Sequence, residues 1–203
     1  MSRWLKFETG VLPFIIATVG EFCGLFGWLH FQLQDRWLVA GIVLFLGFLA
    51  ERLAVLFWVS KNFGAEVGIT SAAKPAWQRF LGLMAITCSE IVIWVVFLWT
   101  YQHHGLVVGL IVLYALELGQ HATDLALLMQ KPFKTFLTDY TAHFITVVEA
   151  GGGTAMVYFV LAGQPWLGGA IMFACLAVEH VVQGGMIKPP AAAGSPAAAA
   201  GGA

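Results

Sequence analysis

The sequence predicts an all-α integral membrane protein built as a bundle of six transmembrane helices. Hydrophobic residues make up 60% of the 203 residues and charged residues only 10%, whereas a typical soluble domain has about 25% charged residues. The apolar residues form six runs that each approach the length of about 20 residues needed to cross a bilayer. The lysines and arginines also lie almost entirely in alternate loops, as in proteins that cross a membrane several times.

The apolar runs cover residues 11–31, 38–59, 80–101, 106–129, 141–163 and 167–187. The first run follows Arg3 and Lys6 and has no small-residue cleavage site, so we interpret it as a spanning helix and not as a signal peptide. Because the connections are short, consecutive helices should be antiparallel neighbours. Residues 1–187 should therefore form one transmembrane domain. Residues 188–203 form a tail rich in Pro, Ala and Gly, which lacks large apolar side chains for a core.

The distribution of basic residues predicts that both termini are cytoplasmic. One side of the membrane would hold Arg36 alone, and Arg52 lies within a helix. The other side would hold the remaining eight of the ten basic residues: Arg3, Lys6, Lys61, Lys74, Arg79, Lys131, Lys134 and Lys188. Because positive charge is retained in the cytoplasm, we expect this topology in a bacterial inner (cytoplasmic) membrane.

A repeated pattern appears in the first, third and fifth helices, each of which carries Thr-x-x-Glu near its middle. The three copies are Thr18–Glu21, Thr87–Glu90 and Thr146–Glu149. Thirty residues after each glutamate stand the pairs Glu51-Arg52, Gln120-His121 and Glu179-His180. About 15 residues up and 15 down return a helical chain to the same depth. The spacing predicts three helical-hairpin repeats around a pseudo-three-fold axis; the alternative is six unrelated helices.

Each predicted helix also carries one glutamate near its middle: Glu21, Glu51, Glu90, Glu117, Glu149 and Glu179. Ionisable residues inside a bilayer are costly and usually functional. With Arg52 as the single permanent cation among them, these carboxylates must be protonated or neutralised by bound cations. We assign a proton or ion pathway to one set of residues: Glu21, Glu51, Arg52, Glu90 and Glu149. The alternative is that they link helices by hydrogen bonds, with Arg52 as a counter-ion.

Candidate metal ligands cluster on the fourth helix. Glu117, His121 and Asp124 share one face, because they are spaced at i, i+4 and i+7. A carboxylate–imidazole–carboxylate ladder suits a transition-metal ion, and it suits a proton relay or structural hydrogen bonds equally well. Glu179 and His180 are further candidate ligands, although neighbouring residues point about 100° apart on a helix and cannot share one central ion. Haem held by His121 and His180 is another option.

Several function classes are excluded or left open by the sequence. It has no nucleotide-binding or hydrolase motif and no basic patch for nucleic acid. The expected partners are the lipid bilayer and either other membrane subunits or a second copy of the chain. The favoured hypothesis is a protein that binds a metal ion or conducts protons or cations. The alternatives are a metal- or haem-binding subunit of a respiratory, photosynthetic or oxygenase complex, and a structural accessory subunit.

Overall fold

The computed structural model of the protein describes residues 11–63, 75–129 and 132–186. These ranges contain seven α-helices and no strand. The helices are α1 (Leu12–Gln32), α2 (Trp37–Phe63), α3 (Ala76–His104), α4 (Leu106–Met129), α5 (Phe133–Phe136), α6 (Tyr140–Leu161) and α7 (Pro165–Met186). All except α5 are long and apolar enough to cross a membrane. The predicted all-α class with six spanning helices is therefore confirmed for this part of the chain. The predicted tail, 188–203, lies outside the described residues.

The third helix is longer than its apolar run. It begins at Ala76, directly after Pro75, whose backbone has an extended ψ of 146°. It continues through His103 and His104 and ends at Gly105, whose φ of 83° lies in the left-handed region. Glycine adopts this conformation without the strain that a Cβ would cause, so it commonly ends helices. Polar residues at both ends are thus helical, although they do not belong to the apolar run.

The short helix α5 is an element that the apolar runs do not predict. Phe136 is only 3% exposed and packs in a cluster with Ala122 and Leu125 of α4 and with Ile145 of α6. Asp139 follows and caps α6, because its Oδ1 accepts from the backbone N–H groups of residues 141 and 142 at 2.8 and 3.2 Å. Such a cap satisfies amides that have no partner within the helix. The connection is therefore a packed structure that orients α6 against α4.

The six long helices pack side by side in chain order, and the series closes on itself. The neighbouring pairs are α1–α2, α2–α3, α3–α4, α4–α6, α6–α7 and α7–α1. The α1–α2 contact is especially close, since a Cβ added to Gly24 would lie 2.9 Å from the Cα of Gly47. Small residues permit this approach of two backbones. The arrangement encloses an interior to which every long helix contributes side chains.

The surface of the bundle is much more apolar than that of a soluble domain. Large apolar side chains face outward along the helices; for example Leu38 is 78% exposed, Val107 65% and Trp166 86%. The interior holds an apolar core that includes Leu25, Trp94 and Phe97, and beside it buried carboxylates, histidines, threonines and glutamines. A continuous apolar exterior of this kind requires a lipid environment, because in water it would be an aggregation surface. The fold is accordingly that of an integral membrane protein whose helices contact lipid.

Candidate functional site

The interior polar residues form one connected cluster of acids and bases. The bases are Arg52, His121 and His180. Seven carboxylic acids surround them, each at most 4% exposed: Glu21, Glu51, Glu90, Glu117, Asp124, Glu149 and Glu179. Isolated carboxylates at such depth would be strongly unfavourable, so the contacts that each one makes decide what the cluster can bind. Three groupings, one around each base, account for most of these contacts.

His121 of α4 is oriented by a threonine of α6. The Thr146 hydroxyl donates its single proton to the carbonyl of Ala142 at 2.8 Å. Its oxygen can therefore only accept from His121 Nδ1, which lies 2.9 Å away. The proton of the imidazole is thus assigned to Nδ1, and Nε2 is the nitrogen that remains for another partner. A hydrogen bond of this type fixes the tautomer and the ring orientation of metal-binding histidines.

The free nitrogen of His121 faces two carboxylates from different helices. Nε2 lies 3.2 Å from Glu179 Oε1 of α7 with hydrogen-bond geometry. Glu149 Oε2 of α6 is 3.1 Å from the same nitrogen but lacks that geometry. If both acids are ionised and the imidazole is neutral, three lone pairs meet at this point. A proton or a metal ion must therefore occupy the space between these atoms.

Glu117, one turn before His121, completes a possible ligand set. Donor atoms of Glu117, His121 and Glu149 all lie within 4.8 Å of one another. Glu117 Oε1 and Glu149 Oε2 are fully buried and make no hydrogen bond with any described residue. A buried polar atom without a partner costs about 1–3 kcal/mol, and more when it is charged. These oxygens thus point to a ligand that would satisfy them.

The donor spacing around His121 fits a first-row transition metal. Metal–donor bonds of about 2.0–2.1 Å in a tetrahedral site place neighbouring ligand atoms roughly 3.3–3.4 Å apart. The observed separations from Nε2, 3.1 and 3.2 Å, are close to this value. Imidazole with carboxylates suits Zn²⁺, Fe²⁺, Mn²⁺ or Co²⁺, whereas soft metals prefer sulfur. Cys23 and Cys88 are exposed and do not contribute to the set.

Arg52 of α2 forms the second grouping. Its Nη2 donates to Glu90 Oε2 at 2.6 Å and its Nη1 to Asp124 Oδ2 at 2.7 Å, while Nε lies 3.1 Å from Glu51 Oε2. Gln120 Nε2 also donates weakly to Asp124 at 3.4 Å. Asp124, predicted as a metal ligand beside Glu117 and His121, is therefore an ion-pair partner of Arg52 in the structure. Arg52 already supplies a positive charge to the carboxylates of this grouping.

His180 of α7 forms the third grouping. Its Nδ1 donates to the carbonyl of Leu176 at 2.9 Å, and the Thr18 hydroxyl of α1 lies 3.1 Å from the same nitrogen. Nε2 faces Glu21 Oε2 at 3.6 Å and Glu51 Oε1 at 3.8 Å. Glu179 and His180, which were both predicted as metal ligands, thus belong to different groupings, since Glu179 contacts His121. Their different directions follow from their adjacent positions on one helix, which are about 100° apart.

The three groupings are related by one contact pattern. The base of each hairpin lies against the Thr-x-x-Glu glutamate of the next hairpin. The three pairs are Arg52 with Glu90, His121 with Glu149 and His180 with Glu21. Donor atoms of these three glutamates, Glu21, Glu90 and Glu149, also lie within 4.8 Å of one another. All five residues that were predicted for the ion pathway therefore belong to one contiguous cluster.

Sequence reasoning missed some residues that build the cluster. The threonines entered the sequence argument only as members of the Thr-x-x-Glu repeat, yet Thr146 and Thr18 contact His121 and His180. Gln120 was noted only as a repeat position, whereas it contacts Ser89 Oγ at 3.0 Å as well as Asp124. The recurrence of Thr exactly three residues before each glutamate was the available signal. A polar residue that recurs with the acid is expected to serve the same site.

A cavity of about 340 Å³ lies beside the polar cluster, between α1 and α7. Thr18 and His180 are the polar residues of its wall, and the other lining residues are apolar, with Phe14 and Phe173 the largest. An almost entirely apolar wall suits a hydrocarbon chain better than an ion. We therefore treat the cavity as separate from the sites formed by the acids and bases.

Comparison with protein-family models, with curated proteins and with solved structures finds no match to this chain. The chemistry of the buried donor atoms is consequently the guide to function.

Proposed function

We propose that this integral membrane protein binds a transition-metal ion in its interior, with Glu117, His121 and Glu149 as ligands. The observation that carries the proposal is the convergence of their donor atoms within 4.8 Å, together with two buried oxygens that lack hydrogen bonds among the described residues. Glu179 Oε1 lies 3.2 Å from His121 Nε2 but is not a member of this converging group. Three protein donors with a fourth position open to water match a common arrangement of zinc sites.

The metal would occupy the position that a proton must otherwise fill. Thr146 holds the imidazole proton on Nδ1, so Nε2 presents a lone pair toward the carboxylates. A divalent cation there would neutralise two negative charges and satisfy the oxygens of Glu117 and Glu149. Neutralisation in a water-poor interior is worth far more than at a surface. The ion would therefore stabilise the bundle as well as fill the site.

We also propose that the three hairpins, α1–α2, α3–α4 and α6–α7, are repeats around a pseudo-three-fold axis. The cyclic contacts between each base and the glutamate of the next hairpin support this arrangement. The distribution of lysine and arginine supports cytoplasmic termini in a bacterial inner membrane. Association with other membrane subunits or with a second copy stays a prediction.

Elemental analysis of the detergent-purified protein tests the metal proposal. We compare the wild type with His121→Asn, in which the amide nitrogen can still donate to Thr146 but no Nε2 ligand exists. The matched control is His103→Asn, which changes an exposed histidine. We expect a stoichiometric metal in the wild type and in the control, and its loss in His121→Asn. Equal metal in all three proteins, or no metal in any after incubation with Zn²⁺, would contradict the proposal.

Proton or cation conduction is a second candidate function, favoured by the excess of buried acid. If all seven carboxylates were ionised, Arg52 and two protonated histidines would leave four negative charges without a counter-charge. Mobile protons or cations are the natural source of the missing positive charge. Contacts also link the groupings, because Glu51 lies against both Arg52 and His180 and Glu149 approaches both His121 and the other two Thr-x-x-Glu glutamates.

Flux measurements in proteoliposomes test conduction. We expect Glu149→Gln to reduce the flux of H⁺ or of the loaded cation by at least tenfold, because it breaks the link between the groupings. Glu8 lies outside the described residues and outside the predicted spans, so Glu8→Gln is a control for the same chemical change. Flux that is unchanged in Glu149→Gln would rule out a pathway through the cluster.

A further inference from the structure

We propose that the cavity between α1 and α7 binds one acyl chain of a membrane phospholipid, which fills the seam where the ring of helices closes. The site is separate from the acids and bases, and the inference does not depend on metal binding at His121. Three features carry it. They are the apolar wall of the cavity, its continuity with the lipid-facing surface, and the engagement of its two polar residues with other parts of the protein.

The cavity has the size and the lining of a site for an apolar ligand. Its volume is about 340 Å³, and pockets for small molecules usually measure about 300–1,000 Å³. Seven of its nine lining residues are apolar. Protein interiors are close-packed, so a void of this size needs an occupant, and an apolar wall gives water few hydrogen-bond partners. Within a bilayer, hydrocarbon is the occupant that matches this wall.

The largest side chains of the wall are held away from the cavity by other aromatic rings. Phe14 packs edge-to-face against Trp58 of α2, with the ring centroids 5.0 Å apart. Phe173 packs in the same way against Phe22 of α1, at 5.4 Å. Such pairs are favourable beyond the area that they bury. Because each ring has its own partner, the space between α1 and α7 is already formed before a ligand enters.

The cavity is continuous with the surface that contacts lipid. Three of its lining residues also belong to the apolar exterior, since Ile15 is 46% exposed, Val19 42% and Val181 60%. Along α1 the lining runs from Val11 to Val19, which corresponds to about 12 Å of helix. One leaflet of a bilayer has a hydrocarbon thickness of about 15 Å, half of the total. The cavity thus matches the reach of a single acyl chain that enters from the lipid.

The two polar residues of the wall are engaged within the protein. Nδ1 of His180 donates to the carbonyl of Leu176 at 2.9 Å, and its Nε2 faces the carboxylates of Glu21 and Glu51. The Thr18 hydroxyl lies 3.1 Å from the same Nδ1. No nitrogen of His180 is therefore left for a polar group inside the cavity. This favours a plain hydrocarbon chain over a ligand such as a quinone, whose ring oxygens need hydrogen-bond donors.

The end of the cavity indicates where the lipid headgroup would remain. Val11, the residue that precedes the first turn of α1, lines the cavity and is 40% exposed. A phospholipid whose headgroup stays at the membrane surface near this end can place its tail alongside α1. The bound chain would cover Thr18 and His180 and close the seam beside the polar cluster.

Native mass spectrometry tests the proposal after reconstitution into vesicles of phosphatidylethanolamine and phosphatidylglycerol and extraction in mild detergent. We expect one retained phospholipid per chain in the wild type and its loss in Ala177→Phe, which places a ring in the cavity. The matched control is Ala174→Phe, the same change at an exposed residue of α7 outside the lining. Equal retention in the three proteins, or no phospholipid in the wild type, would overturn the proposal.

A measurement on the wild type alone guards against a folding defect in Ala177→Phe. A phospholipid with a diazirine in its acyl chain is reconstituted, the protein is extracted, and the retained lipid is cross-linked by light. We expect labelled peptides from residues 11–19 and 173–181, and little label at Val107 and Ile111, which are exposed on α4. Equal labelling of α4 would overturn the assignment to this cavity.

Vesicles that contain an added isoprenoid quinone distinguish the source of the chain. Retention of the phospholipid mass supports the proposal. Retention of the quinone in its place would overturn the assignment of a phospholipid acyl chain.

Discussion

At the scale of single residues, the function of the cluster depends on how each histidine is turned. His121 and His180 each have Nδ1 next to an oxygen of a helix backbone or of a threonine, and each presents Nε2 to two carboxylates. Rotating either ring by half a turn would remove the lone pair from the acids. The residues that hold the rings are therefore as important for binding as the ligands themselves.

The Thr146 hydroxyl provides a direct test of this orienting role. We expect Thr146→Val, which keeps the shape but removes the acceptor for His121 Nδ1–H, to weaken metal binding about 10–100-fold. Competition with a chelator of known affinity measures the change. Thr123→Val on α4 is the control, because Thr123 is exposed and its hydroxyl donates to the carbonyl of Gly119 in its own helix. Equal affinity in the two variants would contradict the assignment of the Nδ1 proton.

Arg52 illustrates a residue whose removal is expected to affect stability. Arg52→Gln would leave Glu90 and Asp124 buried without their shared cation, and breaking a buried ion pair typically costs about 3–5 kcal/mol. We expect a clear loss of stability when unfolding is followed in detergent. Adding Asp124→Asn should restore part of the loss, because the two sites are directly coupled. If Arg52→Gln is as stable as the wild type, these ion pairs do not hold α2 to α3 and α4.

At the scale of the helices, close backbone contact holds α1 and α2 together. Gly24 of α1 and Gly47 of α2 meet where a Cβ has no room. We expect Gly24→Ala to lower stability by about 1–3 kcal/mol, the usual cost of overpacking. Gly41 of α2 is the matched control, since a Cβ there would meet nothing within 4 Å. Thermal unfolding of the two variants in one detergent makes the comparison, and a larger loss in Gly41→Ala would contradict the packing described for this hairpin.

The helices also show where prediction from sequence succeeds and where it stops. The six spanning helices are long apolar runs, so hydropathy alone locates them. The helix α5 and the polar ends of α3 depend on Pro75, Gly105 and the burial of Phe136, which a search for apolar runs does not detect. The acids of the cluster can be recognised because charge in a span is rare. The partners of each acid cannot be predicted from the sequence, because packing sets the rotation of each helix. Asp124, for example, faces Arg52 although it shares a helix face with His121.

At the scale of the whole molecule, the orientation in the membrane follows from the charge of the connections. We expect a cysteine at Thr135, in α5, to react with a membrane-impermeant thiol reagent only when the cytoplasmic side is open. A cysteine at Gln164, in the α6–α7 connection, should react from outside in intact cells. Both positions are exposed. Cys23, Cys88 and Cys175 are replaced beforehand, so that the introduced cysteine alone can react with the reagent. The reverse pattern of labelling would overturn the proposed orientation.

The most direct test of the central claim is an anomalous X-ray diffraction map of the protein crystallised with Zn²⁺ or Co²⁺. A metal held by Glu117, His121 and Glu149 predicts an anomalous peak about 2.0–2.2 Å from His121 Nε2, present in the wild type and missing in His121→Asn. A well-ordered wild-type structure without a peak at this nitrogen, or a peak that persists in His121→Asn, would contradict the claim.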